Sequence, residues 1–380
     1  MASSGFGRWL AHAKRGIGWL AAMFAITLGI LVVLEGAASL VLFGDSALER
    51  TPRIAKEFSS EYDPELGWIA MRSFHAPDFF GPGRDIRTES HGFRADQELS
   101  PQLPDGRVRI ICSGDSFTWG YGVGNDDTWC TGLGDAYGVE TVNMGQSGYG
   151  VDQSYLLFMR EGTRLEHTLH VFAFIEDDFV RAQSPVFLGF PKPIIELAED
   201  SLVTRNQPVP TDSRIRRLGR RLASPASQLR LVRILTAFAG RIAEASRPHA
   251  SPEATLEVFA ALVGRLQAVA REDSAALLLV FLPTEGMHAR AQPSVWQRGV
   301  YDIANSLSVP FVDLTDHLSL LPGSEVPALF QQMRDFDTAT MPFVFGAGHY
   351  SELGNQWVAE SLTAHIAQHP DLARSLETSP

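Results

Sequence analysis

The chain has 380 residues, 45% of them hydrophobic, and a formal net charge of -12 at pH 7. That length and apolar content fill a sizeable core, which excludes a disordered protein. The acidic balance excludes non-specific nucleic-acid binding as the main role, because such binding needs a basic surface to displace counterions.

Residues 1–15 form a short N-terminus containing Arg8, Lys14 and Arg15, and the 19 residues that follow, 16–34 (GIGWLAAMFAITLGILVVL), carry no charge. That is about the length a helix needs to cross the hydrocarbon core, and with its apolar continuation it predicts a transmembrane anchor over 16–44. Basic residues precede the run, and Asp45 and Glu49 follow it. The positive-inside rule therefore puts 1–15 in the cytoplasm and the rest of the chain outside. A cleaved signal peptide fits less well, since its apolar region is shorter and no A-x-A site directly follows Leu34.

Residues 45–106 are polar, with glycine and aromatic punctuation, and read as a connecting arm packed on a domain. From there to 370 short apolar runs alternate with longer helical patterns. Strands are expected at 107–113, 139–144, 169–175, 275–283 and 309–314, and helices at about 126–137, 151–163, 252–272, 292–307 and 351–367. Such alternation predicts an α/β fold: a flavodoxin-like three-layer sandwich of about five parallel strands covered by helices on both faces. Residues 184–250 interrupt it as an insertion with eight arginines from Arg214 to Arg241. That basic stretch reads as a solvated helix pair or, alternatively, as a surface for anionic lipid. Residues 371–380 form a C-terminal tail. Cys112 and Cys130 are the two cysteines, and they either pair or remain two thiols.

In such sheets ligands bind beyond the carboxyl ends of the strands. The first strand ends in Gly114, Asp115 and Ser116, the second in the small-residue loop NMGQSGYG, and the third in Glu176, Asp177 and Asp178. A serine attacks an ester only if a base takes its proton and donors await the charge developing on the carbonyl oxygen. His349, just before the last helix, is a candidate base, and the glycine loop can offer backbone amides. His167 and His170 lack nearby acid or cysteine ligands, so no metal site is expected. The glycine loops fit no nucleotide fingerprint.

The blocks GDSFTWGYGV, NMGQSGYGVDQ and GHYSELGNQWVAE, in this order, resemble the SGNH (GDSL) hydrolase superfamily, and the resemblance spans roughly residues 58–367. The segment GFPKPIIELAEDSLVTRNQPVP is similar to one in membrane-anchored bacterial members. The resemblance implies that Ser116 is the nucleophile, that the amides of Ser116 and Gly148 donate to the oxyanion, that His349 is the general base, and that no cofactor or metal is needed. The family's oxyanion asparagine falls on Asp177, which either donates through a proton held by burial and its acidic neighbours or is replaced by a water. The acid that orients the histidine falls on Gly346, which leaves a Ser–His dyad, or Asp335 or Asp337 folding back to serve. The implied activity is hydrolysis of an acyl ester on envelope or exported glycans or lipids, at the periplasmic or extracellular face of a bacterial membrane. Two alternatives are an O-acetyltransferase for an exported polysaccharide and a catalytically silent envelope binding protein.

Overall fold

The computed structural model describes residues 19, 22–24, 26–31, 33–36, 59–188, 190–199, 201–210, 250–332 and 347–377. The described residues between 19 and 36 are helical and expose Trp19, Phe24, Ile26, Leu31 and Val33. Most of the expected anchor lies outside the described residues, and among those described no helix is long and apolar enough to cross a membrane. The arginine-rich part of the insertion, Asp335, Asp337 and Gly346 also lie outside the described residues.

Five strands build the central sheet: β1 (Arg109–Ser113), β2 (Glu140–Asn143), β3 (Leu169–Phe174), β4 (Ala276–Phe281) and β5 (Phe311–Asp313). All neighbours are parallel, in the order β5-β4-β3-β1-β2. The central strands β3 and β4 are near-continuous apolar runs because both their faces are covered. Their alternation sorts residues between two cores: on β3, Val171 and Ala173 join one face while Phe172 and Phe174 join the other. The chain leaves β1 for β2 on one side and returns to β3 on the other, so the β1–β3 boundary is the topological switch point, where such folds place their crevice.

Among the described residues nine helices surround it: α1 (Ser116–Trp119), α2 (Trp129–Tyr137), α3 (Val151–Glu161), α4 (Glu176–Ala182), α5 (Pro252–Glu272), α6 (Val295–Leu307), α7 (Leu314–Ser319), α8 (Glu352–Gln368) and α9 (Pro370–Ser375). One layer packs Phe158, Phe179, Phe259, Leu266 and Val300 against the sheet; the other packs Phe117, Trp129, Leu318, Tyr350 and Leu362. Cys112 on β1 and Cys130 on α2 form a disulfide with Cα atoms 6.1 Å apart, which settles the open choice in favour of pairing.

From residue 59 the polar arm carries an antiparallel hairpin, Ser60–Asp63 with Gly67–Ala70, stitched to the glycine loop. Trp68 Nε1 donates to the Ser147 carbonyl at 3.0 Å, and the Tyr149 hydroxyl donates to the Trp68 carbonyl at 2.5 Å. The described start of the insertion forms two further hairpins, Val186–Phe187 with Phe190–Pro191 and Ile194–Ala198 with Ser201–Arg205. Lys192, between them, is fully buried, and its Nζ donates to Asp152 Oδ2 on α3 at 2.6 Å and to the Pro193 carbonyl at 3.0 Å. Removing one partner of a buried pair strands the other charge without solvent. Asp152→Ala is therefore expected to destabilise the fold by about 3–5 kcal/mol, read as a lowered urea midpoint, whereas an Asp152→Ala/Lys192→Met double variant recovers most of that loss.

Candidate active site

At the end of β1, Asp115 caps α1: its Oδ1 accepts the Phe117 amide at 2.8 Å. This cap turns the chain sharply and places Ser116 at the first helical position, nearly buried at 6% exposure. Its Oγ lies 2.8 Å from His349 Nε2 and 3.3 Å from Asp115 Oδ2. The hydroxyl has one proton, and the shorter, better acceptor is the imidazole.

His349 is held by backbone and by rings. Gln331 and the segment that carries His349 exchange two bonds, Gln331 N to the His349 carbonyl and Gly348 N to the Gln331 carbonyl, both 2.8 Å. The Gln331 carboxamide donates to the carbonyls of Tyr121 (2.8 Å) and Tyr350 (2.7 Å), tying the loop after the nucleophile to the histidine. The imidazole sits between Phe117 and Tyr121, with ring centroids 4.7 and 5.0 Å away. Arg94, buried behind this loop, donates to the carbonyls of Trp119, Gly120 and Val123. The loop is thereby fixed from two directions.

The glycine loop lies alongside. Gly145 packs against the backbone of α1, where a Cβ would meet Trp119 N at 2.2 Å, and the Gln146 amide donates to the Gly114 carbonyl at 3.1 Å. Gly148 adopts φ +76°, which turns its amide hydrogen, and a Cβ there would meet the Phe187 ring at 2.4 Å. Neither the Ser116 nor the Gly148 amide is taken by an acceptor among the described residues. Both remain available for an anionic oxygen.

Asp177 departs from expectation. It stands in the first turn of α4 and is exposed to solvent, without the burial that the sequence reading required of it. The inward-facing carboxyl is one residue later: Asp178 Oδ2 accepts the Ile175 amide at 3.0 Å, and this cap rotates Asp178 toward the core and Asp177 toward solvent. Arg181, one helical turn on, bridges Asp178 Oδ1 (2.6 Å), Asp115 Oδ2 (2.9 Å) and the Tyr149 carbonyl (3.0 Å). Burial, and then the nearby Asp115 charge, push the Asp178 carboxyl well above its usual value, against the pull of Arg181. Sequence reasoning missed Arg181, although its three-residue spacing from Asp178 on a helix was a usable signal. It also missed Gln331, for which the sequence carries no signal. His170 belongs to the core: its Nε2 meets Ser113 Oγ at 2.6 Å and its ring stacks on Phe158 at 3.6 Å.

A base-paired serine beside two unused amides can attack a carbonyl carbon and stabilise the resulting oxyanion. No family model and no curated protein sequence matches the chain. Among solved structures it is similar to a lipolytic protein of the G-D-S-L family from Desulfitobacterium hafniense (13% identity, 68% of this chain and 100% of that one, TM-score 0.37). It is also similar to a lipase/acylhydrolase from Enterococcus faecalis (11%, 69% and 96%, TM-score 0.37) and to an acetyl xylan esterase (11%, 68% and 100%, TM-score 0.39).

Two outcomes test that geometry. Gly148→Ala, strained at positive φ and opposed by Phe187, is expected to misplace one oxyanion donor and lower kcat about 100-fold, measured by steady-state ester hydrolysis. Arg181→Gln leaves Asp178 without its cation. A carboxyl whose folded pKa lies above its unfolded one loses its contribution to stability as pH rises through the folded value. The variant is therefore expected to lose more stability near about pH 8 than near about pH 5, read from urea midpoints.

Proposed function

We propose that the chain is a serine acyl-ester hydrolase of the SGNH type acting on the outer side of a bacterial cytoplasmic membrane. The observation that carries this reading is the 2.8 Å contact between Ser116 Oγ and His349 Nε2. His349 accepts the hydroxyl proton as Oγ bonds to the ester carbonyl carbon, and the amides of Ser116 and Gly148 take the oxyanion. Collapse of the tetrahedral species breaks the bond to the alcohol oxygen, which leaves with the proton from His349. Water then repeats the sequence on the acyl-enzyme: His349 takes its proton, the acid departs, and Ser116 regains its hydrogen. Asp115 and Arg181 hold the nucleophile turn and do not exchange protons with substrate.

Two features support the location. The described N-terminal helical residues present apolar side chains outward, Trp19 at 73% and Phe24 at 71% exposure, which favours burial in lipid. The Cys112–Cys130 disulfide fits an oxidising compartment. For the substrate, the resemblance of the sequence blocks directs the reading to O-acylated envelope or exported glycans, or to lipids.

Labelling of the full chain with a fluorophosphonate tests the reading. Wild type is expected to be modified at Ser116. Ser116→Ala is expected to abolish the label, and His349→Ala to slow it and to lower ester hydrolysis at least about a thousandfold. A folded wild-type chain that takes no label refutes the hydrolase reading.

A further inference from the structure

We propose that Phe187 forms the back wall of the acyl subsite and restricts this site to short acyl groups, acetyl above all; the inference rests on the hydrolase reading above. The ring lies directly against the oxyanion glycine, since a Cβ on Gly148 would meet its Cε1 at 2.4 Å, Cδ1 at 3.0 Å and Cζ at 3.4 Å. An ester whose carbonyl oxygen points at the Gly148 amide therefore has this ring beside it.

The two layers of the fold decide which part of the ester the ring meets. The neighbours of His349, Phe117 and Tyr350, belong to the core on one face of the sheet. Phe187 packs against the core on the other face. His349 must protonate the departing alcohol, so that oxygen lies on the histidine side of Ser116. The oxyanion faces the amides. The acyl substituent takes the remaining direction, away from the His349 layer and past Gly148 toward Phe187.

The wall is firm. The Arg181 guanidinium covers the ring at 5.2 Å from its centroid and is itself bonded to Asp115, next to the nucleophile. Trp68 stacks on it with centroids 6.3 Å apart and planes 27° apart. The hairpin that carries it is closed by the Lys192 amide donating to the Pro185 carbonyl at 2.9 Å, and Lys192 Nζ fastens the same residue to Asp152. A long acyl chain would have to displace an aromatic ring held by Arg181 and Trp68, and close-packed rings resist displacement.

The test compares p-nitrophenyl acetate, butyrate and octanoate with the full chain as wild type, Phe187→Ala and Phe187→Leu, and records fluorophosphonate labelling of each. Wild type is expected to prefer acetate. Phe187→Ala is expected to raise the octanoate-to-acetate ratio of kcat/KM at least about tenfold, with Phe187→Leu between the two. Should the alanine variant fail to show a cooperative melt, the leucine variant decides by the same ratio. A wild-type chain that labels at Ser116 but favours octanoate, or variants whose ratio does not move, overturns the inference and leaves the hydrolase reading standing. A wild-type chain that neither labels nor cleaves any of the three esters overturns both.

Discussion

Asp115 can hold the nucleophile turn only while Arg181 holds Asp115. The carboxylate caps α1 through the Phe117 amide, and that cap fixes where the Ser116 hydroxyl and amide stand. Yet Asp115 is fully buried, and its cation is shared with Asp178, a second buried carboxyl. Two acids and one guanidinium are an unbalanced set in a low-dielectric interior, which is why burial drives Asp178 toward its protonated form. The glycine loop joins the same set through the Tyr149 carbonyl on Arg181. Strand ends, oxyanion loop and nucleophile are thus registered to one another by a single side chain.

The histidine comes from elsewhere. It stands in the layer opposite to the aromatic wall and depends on Gln331, whose carboxamide bonds to Tyr121 on the nucleophile side and Tyr350 on the histidine side. Tilted ring contacts with Phe117 and Tyr121 limit the imidazole's rotation, so His349 is oriented by shape as well as by hydrogen bonds. The division of labour follows from the switch point. Elements from either face reach the crevice there without crossing the sheet, and each face contributes a different part of the chemistry.

How much of this was legible depended on whether burial was total or partial. Runs such as Leu169–Phe174 and Ala276–Phe281 are buried on both faces, so their apolar continuity alone marks them as strands. The order of three loop motifs then placed Ser116, Gly148 and His349 at one rim. Illegible were features set by rotation about an axis. The choice between Asp177 and Asp178 is a matter of helical phase in the first turn of α4, fixed by a bond to the Ile175 amide that no local pattern announces. The hairpin at Gly67–Ala70 was likewise read as irregular arm, because four residues are too few to show a period. Phe187 sat inside an insertion that carries no motif, and nothing in its local sequence announces its contact with Gly148.

Ser116 and His349, in contact in the fold, are 233 residues apart in the sequence. A chain emerging from the ribosome therefore carries Ser116 long before it carries His349, and domains begin to form from the N-terminal side during synthesis. Loop closure over such a separation cannot precede most of the sheet and both covering layers. The Ser116–His349 contact is thus completed last, once the α/β sandwich is assembled.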